Sequence, residues 1–246
     1  MKKFQLVILT TLLTSLLFTS CSKDDDEAPQ PEPSLEEVKF ALINGFEKII
    51  LPQGLLNEEE DGHARIALRR IDYTKKYRSY YTTYLTIPED AETSNTPITP
   101  GEGEYLVYQW KNDKQETIFC QVSQQENNYL LEVFIQGEND AHLKLFEAYQ
   151  AKDSKKLQIN LLESVADLEE GTTTWEEKNG SIHFAFEYEE VKFEQVLHPD
   201  GSGKQTLFKN NKPSNIIQWD AQGNGTWTEF EEDGTTVNDS GSWSKK

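Results

Sequence analysis

Apolar residues recur along this chain in three rhythms. From Phe4 to Phe18 they form a mostly apolar, uncharged run. From Leu35 to Tyr84 they return every third or fourth position, and from Gly103 onward they tend to alternate with polar residues. The second rhythm is that of helices with one buried stripe, and the third is that of half-buried strands.

Two helices are predicted. Ser34-Leu35-Glu36-Glu37 fits a capping box, with a hydroxyl at the N-cap and a glutamate three residues on. Leu35, Val38, Leu42, Phe46 and Ile49 then mark about four turns, weakened by Gly45 and ended near Pro52. Asn57 and Glu60 suit the start of a second helix, in which Ala64, Ala67, Ile71, Thr74, Tyr77, Tyr81 and Tyr84 form one stripe. Arg65, Arg69, Lys76, Ser79 and Thr83 fall on its other faces, and Pro88 stops it. A tyrosine stripe at this spacing is expected to pack on a sheet. Residues 89–103, rich in Thr, Pro, Glu and Gly, read as a loop.

Eight strands are predicted next: Glu104–Trp110, Glu116–Ser123, Tyr129–Gln136, His142–Ala151, Lys155–Leu162, Thr172–Lys178, Ser181–Tyr188 and Val191–His198. Alternation is clearest at Ile182, Phe184, Phe186 and Tyr188, and Asn179-Gly180 before them is a two-residue hairpin signal. The last fifty residues carry an internal echo. Asp200-Gly-Ser-Gly-Lys-Gln-Thr-Leu-Phe208 aligns with Gln222-Gly-Asn-Gly-Thr-Trp-Thr-Glu-Phe230, with a shortened copy at Ser240-Gly-Ser-Trp243. Each copy places a glycine turn before a strand, as in a meander whose strands pair with their successors. Short strands without βαβ alternation argue an antiparallel sheet. The expected fold class is mainly β (α+β): residues 34–88 a helical segment packed on a large curved antiparallel meander over residues 104–246, open or incomplete as a barrel. A β-sandwich is the alternative.

The N-terminal run changes the picture of where this domain resides. Lys2 and Lys3, the apolar stretch, and small Thr19 and Ser20 before Cys21 have the layout of a secretory signal peptide over residues 1–20. The run is shorter than the roughly 20 apolar residues of a stable membrane-spanning helix. Leu17-Phe-Thr-Ser-Cys21 resembles a lipobox of the looser kind found in Bacteroidota lipoproteins, with Phe18 where the strict pattern prefers Leu. The resemblance implies cleavage before Cys21 and acylation of that residue. Ser22, Lys23, Asp24, Asp25, Asp26 and Glu27 resemble the acidic export signal that directs such lipoproteins to the outer face of the outer membrane. Residues 21–33 then form a tether, acidic and interrupted by Pro29, Pro31 and Pro33, which reaches at most roughly 40 Å. The body loosely resembles uncharacterised lipoproteins with a helical start and a Trp- and Gly-rich meander, a likeness that carries no activity.

Charge narrows the partners. The chain holds 24 basic and 43 acidic residues, and loss of Lys2 and Lys3 with the signal takes the formal charge from −19 to about −21. Such a surface repels nucleic acid and anionic lipid, whose recognition rests on Lys and Arg at phosphates. With Cys21 acylated, Cys120 has no intramolecular partner. It alternates with Ile118 and Val122, so it reads as a small buried hydrophobe.

No catalytic or metal-binding signature emerges, and no cofactor is implied. The chain lacks a Gly-x-Ser-x-Gly elbow, a His-Glu-x-x-His and a Cys-x-x-Cys, and His63, His142, His183 and His198 are scattered singly. Asp200-Gly-Ser-Gly and Asp220-Ala-Gln-Gly-Asn-Gly hint at calcium loops without the full ligand series, and read better as hairpin turns. Trp110, Trp175, Trp219, Trp227 and Trp243 are the candidate binding aromatics, since exposed indoles stack on sugar rings; core packing is the competing role. The expected function is a non-enzymatic surface lipoprotein, anchored to the membrane by its lipid, that binds a glycan or an outer-membrane protein. The alternatives are a periplasm-facing carrier of lipid or lipoprotein, and a hydrolase built from distant carboxylates.

Overall fold

A computed structural model describes residues 35, 50–58, 60–99, 103–164 and 168–244. The expected signal peptide, Cys21, the expected export signal and the expected tether lie outside the described residues, as does the predicted first helix apart from Leu35, which packs against the core.

The described residues form one antiparallel sheet with a helix across it. Its strands are β1 (Glu92–Ser94), β2 (Tyr105–Lys111), β3 (Thr117–Gln124), β4 (Asn128–Gln136), β5 (His142–Ala151), β6 (Lys156–Leu161) and β7 (Gly171–Lys178). They continue as β8 (Ser181–Tyr188), β9 (Val191–Leu197), β10 (Gly203–Lys209), β11 (Lys212–Trp219), β12 (Gly225–Phe230) and β13 (Val237–Trp243). Each strand pairs with the next, so spatial order equals chain order, and β1 and β13 are the open edges. The sheet is the expected open meander; the strands do not divide into the two sheets of a sandwich. The segment 89–103, expected to be loop throughout, contributes the edge strand β1, whose three exposed residues carry no apolar alternation.

Among the described residues, two α-helical pieces precede the sheet. α1 (Gln53–Leu56) is a single turn, too short to show a period in the sequence. α2 (Gly62–Leu85) buries Ala64, Ala67, Ile71, Thr74, Tyr77, Tyr81 and Tyr84, the whole predicted stripe, together with Leu85. Its N-cap is Asp61 rather than Asn57, which instead closes α1. The Asp61 carboxylate accepts from the amides of His63 at 2.7 Å and Ala64 at 3.0 Å, satisfying two donors that a helix start leaves open. Glu58 accepts in turn from the Glu60 and Asp61 amides, bending the chain into the cap.

The helix runs across the strands. Near its start, His63 stacks on Trp227 of β12 with ring centroids 3.7 Å apart. One turn on, the carbonyl of Ala67 accepts from Gln205 of β10, and Arg70 donates to Asn215 of β11 at 2.8 Å. Tyr77 packs on Phe184 and Phe186 of β8, Tyr81 meets Thr173 of β7, and Tyr80, Tyr81 and Tyr84 surround Phe146 of β5. From His63 to Tyr84 the helix rises about 32 Å. Seven strand spacings from β12 to β5 come to about 34 Å. One helix therefore matches eight strands.

The inner face of the sheet, the one under α2, holds the apolar core. Ile118, Cys120, Val122, Leu131, Val133, Phe146, Ala148, Leu157, Ile159, Trp175 and Ile217 are buried on it. Cys120 is fully enclosed, and burial pushes its thiol up to about 12, so the cysteine behaves as the small hydrophobe that its alternation predicts. Tyr77 and Tyr81 are fully buried and still hydrogen-bonded: Tyr77 donates to the Glu169 carbonyl at 3.1 Å, and Thr173 donates to the Tyr81 hydroxyl at 3.4 Å. Burial, which opposes phenolate formation, raises the pKa of both.

On the outer face, a polar network pins the 96–99 segment to β3–β5. Gln121 is 1% exposed, and its carbonyl accepts from the amides of Ile98 and Thr99 at 2.6 and 3.2 Å. Its amide and the Thr99 hydroxyl both donate to Glu132 Oε2. Lys144 donates to Glu132 and to Glu147, and Tyr149 completes Glu147 at 3.0 Å. The hydrogen bond from Lys144 holds Glu147 below the ordinary carboxylate range, against the effect of partial burial and with help from Tyr149.

Two outcomes follow from this packing. Tyr81→Ala should lower unfolding free energy by about 3–5 kcal/mol, as other large core truncations do, while Tyr81→Phe should cost about 1 kcal/mol for its hydrogen bond; urea unfolding measures both. Glu147 contributes stability that is present above its unfolded pKa and lost as pH falls through its lower folded value. The urea midpoint of Glu147→Gln should therefore lie below that of the parent at pH 7, and the gap should close on acidification below about 4.5.

Candidate functional site

The turns that follow β9 and β11 share one construction. In each, an aspartate carboxylate accepts from the backbone beyond it: Asp200 from Ser202, through amide at 3.0 Å and hydroxyl at 2.7 Å, and Asp220 from Gln222 and Asn224 amides, both at 2.9 Å. Asp220 Oδ2 also accepts from the Asn224 side chain. These bonds, side-chain ones first, hold both carboxyls below the usual range. These carboxylates thus build the hairpin turns. Asp233 builds the turn after β12 the same way, on Thr235 and Thr236.

The turns after β9 and β11 are each tied to a tryptophan on a later strand. Gly203 pairs with Trp219 and Gly225 with Trp243, and a Cβ at either glycine would collide with the indole beside it. Trp219 Nε1 donates to the Gly201 carbonyl at 2.9 Å, and Trp243 Nε1 to the Gly223 carbonyl at 2.7 Å. Gly201 and Gly223 adopt positive φ, of 88° and 92°, and abut the 50–55 segment so closely that a side chain would clash there. The echo in the sequence is thus a repeated brace: indole over strand glycine, indole N–H onto turn carbonyl, turn onto the chain around α1. A related contact, in the opposite sense, sets Trp227 over Gly241.

Of the five tryptophans proposed to bind, Trp110, Trp175, Trp219 and Trp243 are buried on the inner face and belong to the core. Trp227 is partly buried, with one ring face against His63. They do not form a shared stacking platform.

What the braces leave on the opposite, outer face is a shallow depression of about 620 Å³ across the ends of β9–β13. Strand register decides its lining. Lys204, Gln218, Thr226 and Ser242 stand in one cross-strand row, since Lys204 pairs with Gln218, Gln218 with Thr226 and Thr226 with Ser242. His198, Ser202, Asp220 and Asn224 line the turn end. Gly203, Trp219, Gly225 and Trp243 border it from the row whose side chains face inward, and so supply backbone to its floor. Gln218 donates to the Thr226 hydroxyl at 3.1 Å. His198 Nδ1 lies 2.8 Å from the Ser181 hydroxyl, which fixes the ring at the rim.

No family model, no curated protein and no solved structure matches this chain. The geometry stands on its own.

The histidines serve separate places. His63 Nε2 is 3.1 Å from Glu229, His142 and Phe119 meet edge to face, His183 is on β8 opposite Val196, and His198 follows the end of β9. Among the described residues no three His, Cys, Asp or Glu side chains converge as metal ligands. Ser181 and His198 are within hydrogen-bonding reach, but the serine is buried, so the pair serves to orient the ring. The sequence analysis missed the row Lys204, Gln218, Thr226 and Ser242. The echo at 22 residues held half of the signal, because it aligns Lys204 with Thr226 directly after the braced glycines.

The brace is testable. Gly225→Ala places a methyl group against the Trp243 ring and should destabilise the protein by about 1–3 kcal/mol. Trp243→Phe should lose the hydrogen bond to Gly223 while relieving that clash. The double variant should then be more stable than the sum of the two single losses predicts, as read by thermal unfolding.

Proposed function

We propose that this chain is a lipid-anchored outer-membrane protein that displays a non-enzymatic binding domain, with a glycan or a neighbouring outer-membrane protein as its partner. Acylated Cys21 is the anchor, Ser22 to Glu27 the export signal, and the acidic, proline-interrupted tether the spacer that holds the domain clear of the headgroups. One lipid chain binds a membrane marginally and two or three give a lasting anchor.

The observation that carries the binding role is the division of the two sheet faces. The inner face is filled: Tyr77, Tyr81, Phe146, Trp175 and Phe184 are at most 2% exposed and in mutual aromatic contact. A carrier would hold its acyl chain in that space, so the packing favours a ligand met on the outside, where the depression across β9–β13 lies. The formal charge of about −21 on the mature chain also opposes nucleic acid and anionic lipid as partners.

Cells expressing the parent should incorporate labelled palmitate into this chain, and Cys21→Ala should abolish the label. A non-penetrating protease added to intact cells should digest the parent, and replacing Lys23, Asp24, Asp25 and Asp26 by alanine should protect it. Protection of both forms behind an intact outer membrane would move the domain to the periplasmic side and sink the display reading.

A further inference from the structure

The outer-face depression has a chemistry that selects its ligand, and we infer that it is a binding site for a neutral oligosaccharide. This deepens the proposed binding role and rests on it. Five of the twelve residues that line it carry uncharged hydroxyls and amides: Ser202, Gln218, Asn224, Thr226 and Ser242. Hydroxyls and primary amides both donate and accept, which is the complement of a polyol, whose every hydroxyl does the same.

Other ligand classes fit less well. Protein partners are gripped through buried aromatic or arginine anchors; no arginine lines this surface, the indoles of Trp219 and Trp243 border it from the inward-facing row, and the His198 ring at its rim is held by Ser181. An anion would meet Lys204 beside the Asp220 carboxylate, on a strongly acidic domain. A metal ion finds Asp220 already committed to its own turn. A neutral glycan pays none of these penalties.

The shape agrees. The row from Lys204 to Ser242 spans three strand spacings, about 14 Å, longer than one pyranose ring and suited to a short oligosaccharide laid across the strands. Its floor is rigid, because the indoles of Trp219 and Trp243 press on Gly203 and Gly225 from behind and are hydrogen-bonded to the turns. A preformed surface loses little conformational freedom on binding. Without a stacking ring the single-site affinity is low, and many copies tethered to one surface raise it through avidity.

The test uses the full chain extracted from membranes in detergent. Neutral hexasaccharides (gluco-, manno-, xylo- and galacto-configured) and an anionic hexagalacturonate are titrated by calorimetry, and amide hydrogen exchange locates the contact. At least one neutral hexasaccharide should bind saturably and slow exchange in β10–β13 at the Lys204–Ser242 row. Gln218→Met with Thr226→Val, which keeps shape and removes hydrogen-bonding groups, should weaken it at least tenfold with an unchanged melting curve. No saturable neutral ligand, an undiminished double variant, or tighter binding of the galacturonate would each overturn the site. Protease shaving of the same cells keeps the two readings apart. A displayed domain without glycan binding leaves the anchor reading standing, and glycan binding by a shielded domain leaves this site standing without surface display.

Discussion

An open sheet of thirteen strands has two faces and two edges to protect, and its stability depends on one helix being long enough to lie across most of it. α2 supplies about 32 Å of buried stripe against about 34 Å of sheet between β12 and β5, so apolar contact is continuous along the whole crossing. The stripe changes composition as it crosses. Ala64 and Ala67 let the helix approach β10–β12, where Gln205 and Asn215 meet it through hydrogen bonds. The tyrosines fill the wider space over β5–β8 and keep their hydroxyls bonded. A shorter helix would leave strands uncovered, and an unbonded hydroxyl at Tyr77 would cost most of what its ring gains.

The C-terminal strands solve a different problem. There the helix has only begun, and the inner face is covered by indoles folded onto glycines. Gly203 and Gly225 have no side chains to cover the sheet, and the tryptophan on the paired strand fills each gap, as aromatic residues do beside glycine in twisted sheets. Because the indole N–H also reaches back to the preceding turn, the braces link strand, turn and the segment around α1 into one unit. Rigidity on the inner face becomes flatness on the outer one, where short polar side chains stand in rows over a fixed floor. The same glycines that require the tryptophans inside leave the depression outside.

Several buried polar groups are held by fixed partners. Gln121 and Glu132 hold Ile98 and Thr99 through amide and charge-assisted hydrogen bonds, and the turn aspartates close on their own backbones. The acidic surplus of the chain is thereby sorted into structural carboxylates, of which Glu147, Asp200, Asp220 and Asp233 are held below the usual range, and a large exposed remainder that sets the field around the domain.

Much of this was legible in the linear pattern, because local rules govern it. Period 3.6 marked the stripe of α2 residue by residue, period 2 marked β2–β9, and Asn-Gly and Asp-Gly pairs marked hairpins, since backbone sterics act over two to four residues. Elements without a period escaped: α1 is one turn, β1 is three exposed residues, and the cap at Asp61 is set by where α1 ends. The tryptophans were visible as a set, but whether each faces a ligand or the core depends on what lies across the strand. Trp219 is buried because Gly203 and Gly225 stand beside it, residues sixteen and six positions away. The row from Lys204 to Ser242 likewise exists only once register aligns four strands. Sequence alone determined the elements and their order, since those follow from neighbouring residues. Tertiary structure decided which side chains share a face, because pairing register joins residues that no local rule connects.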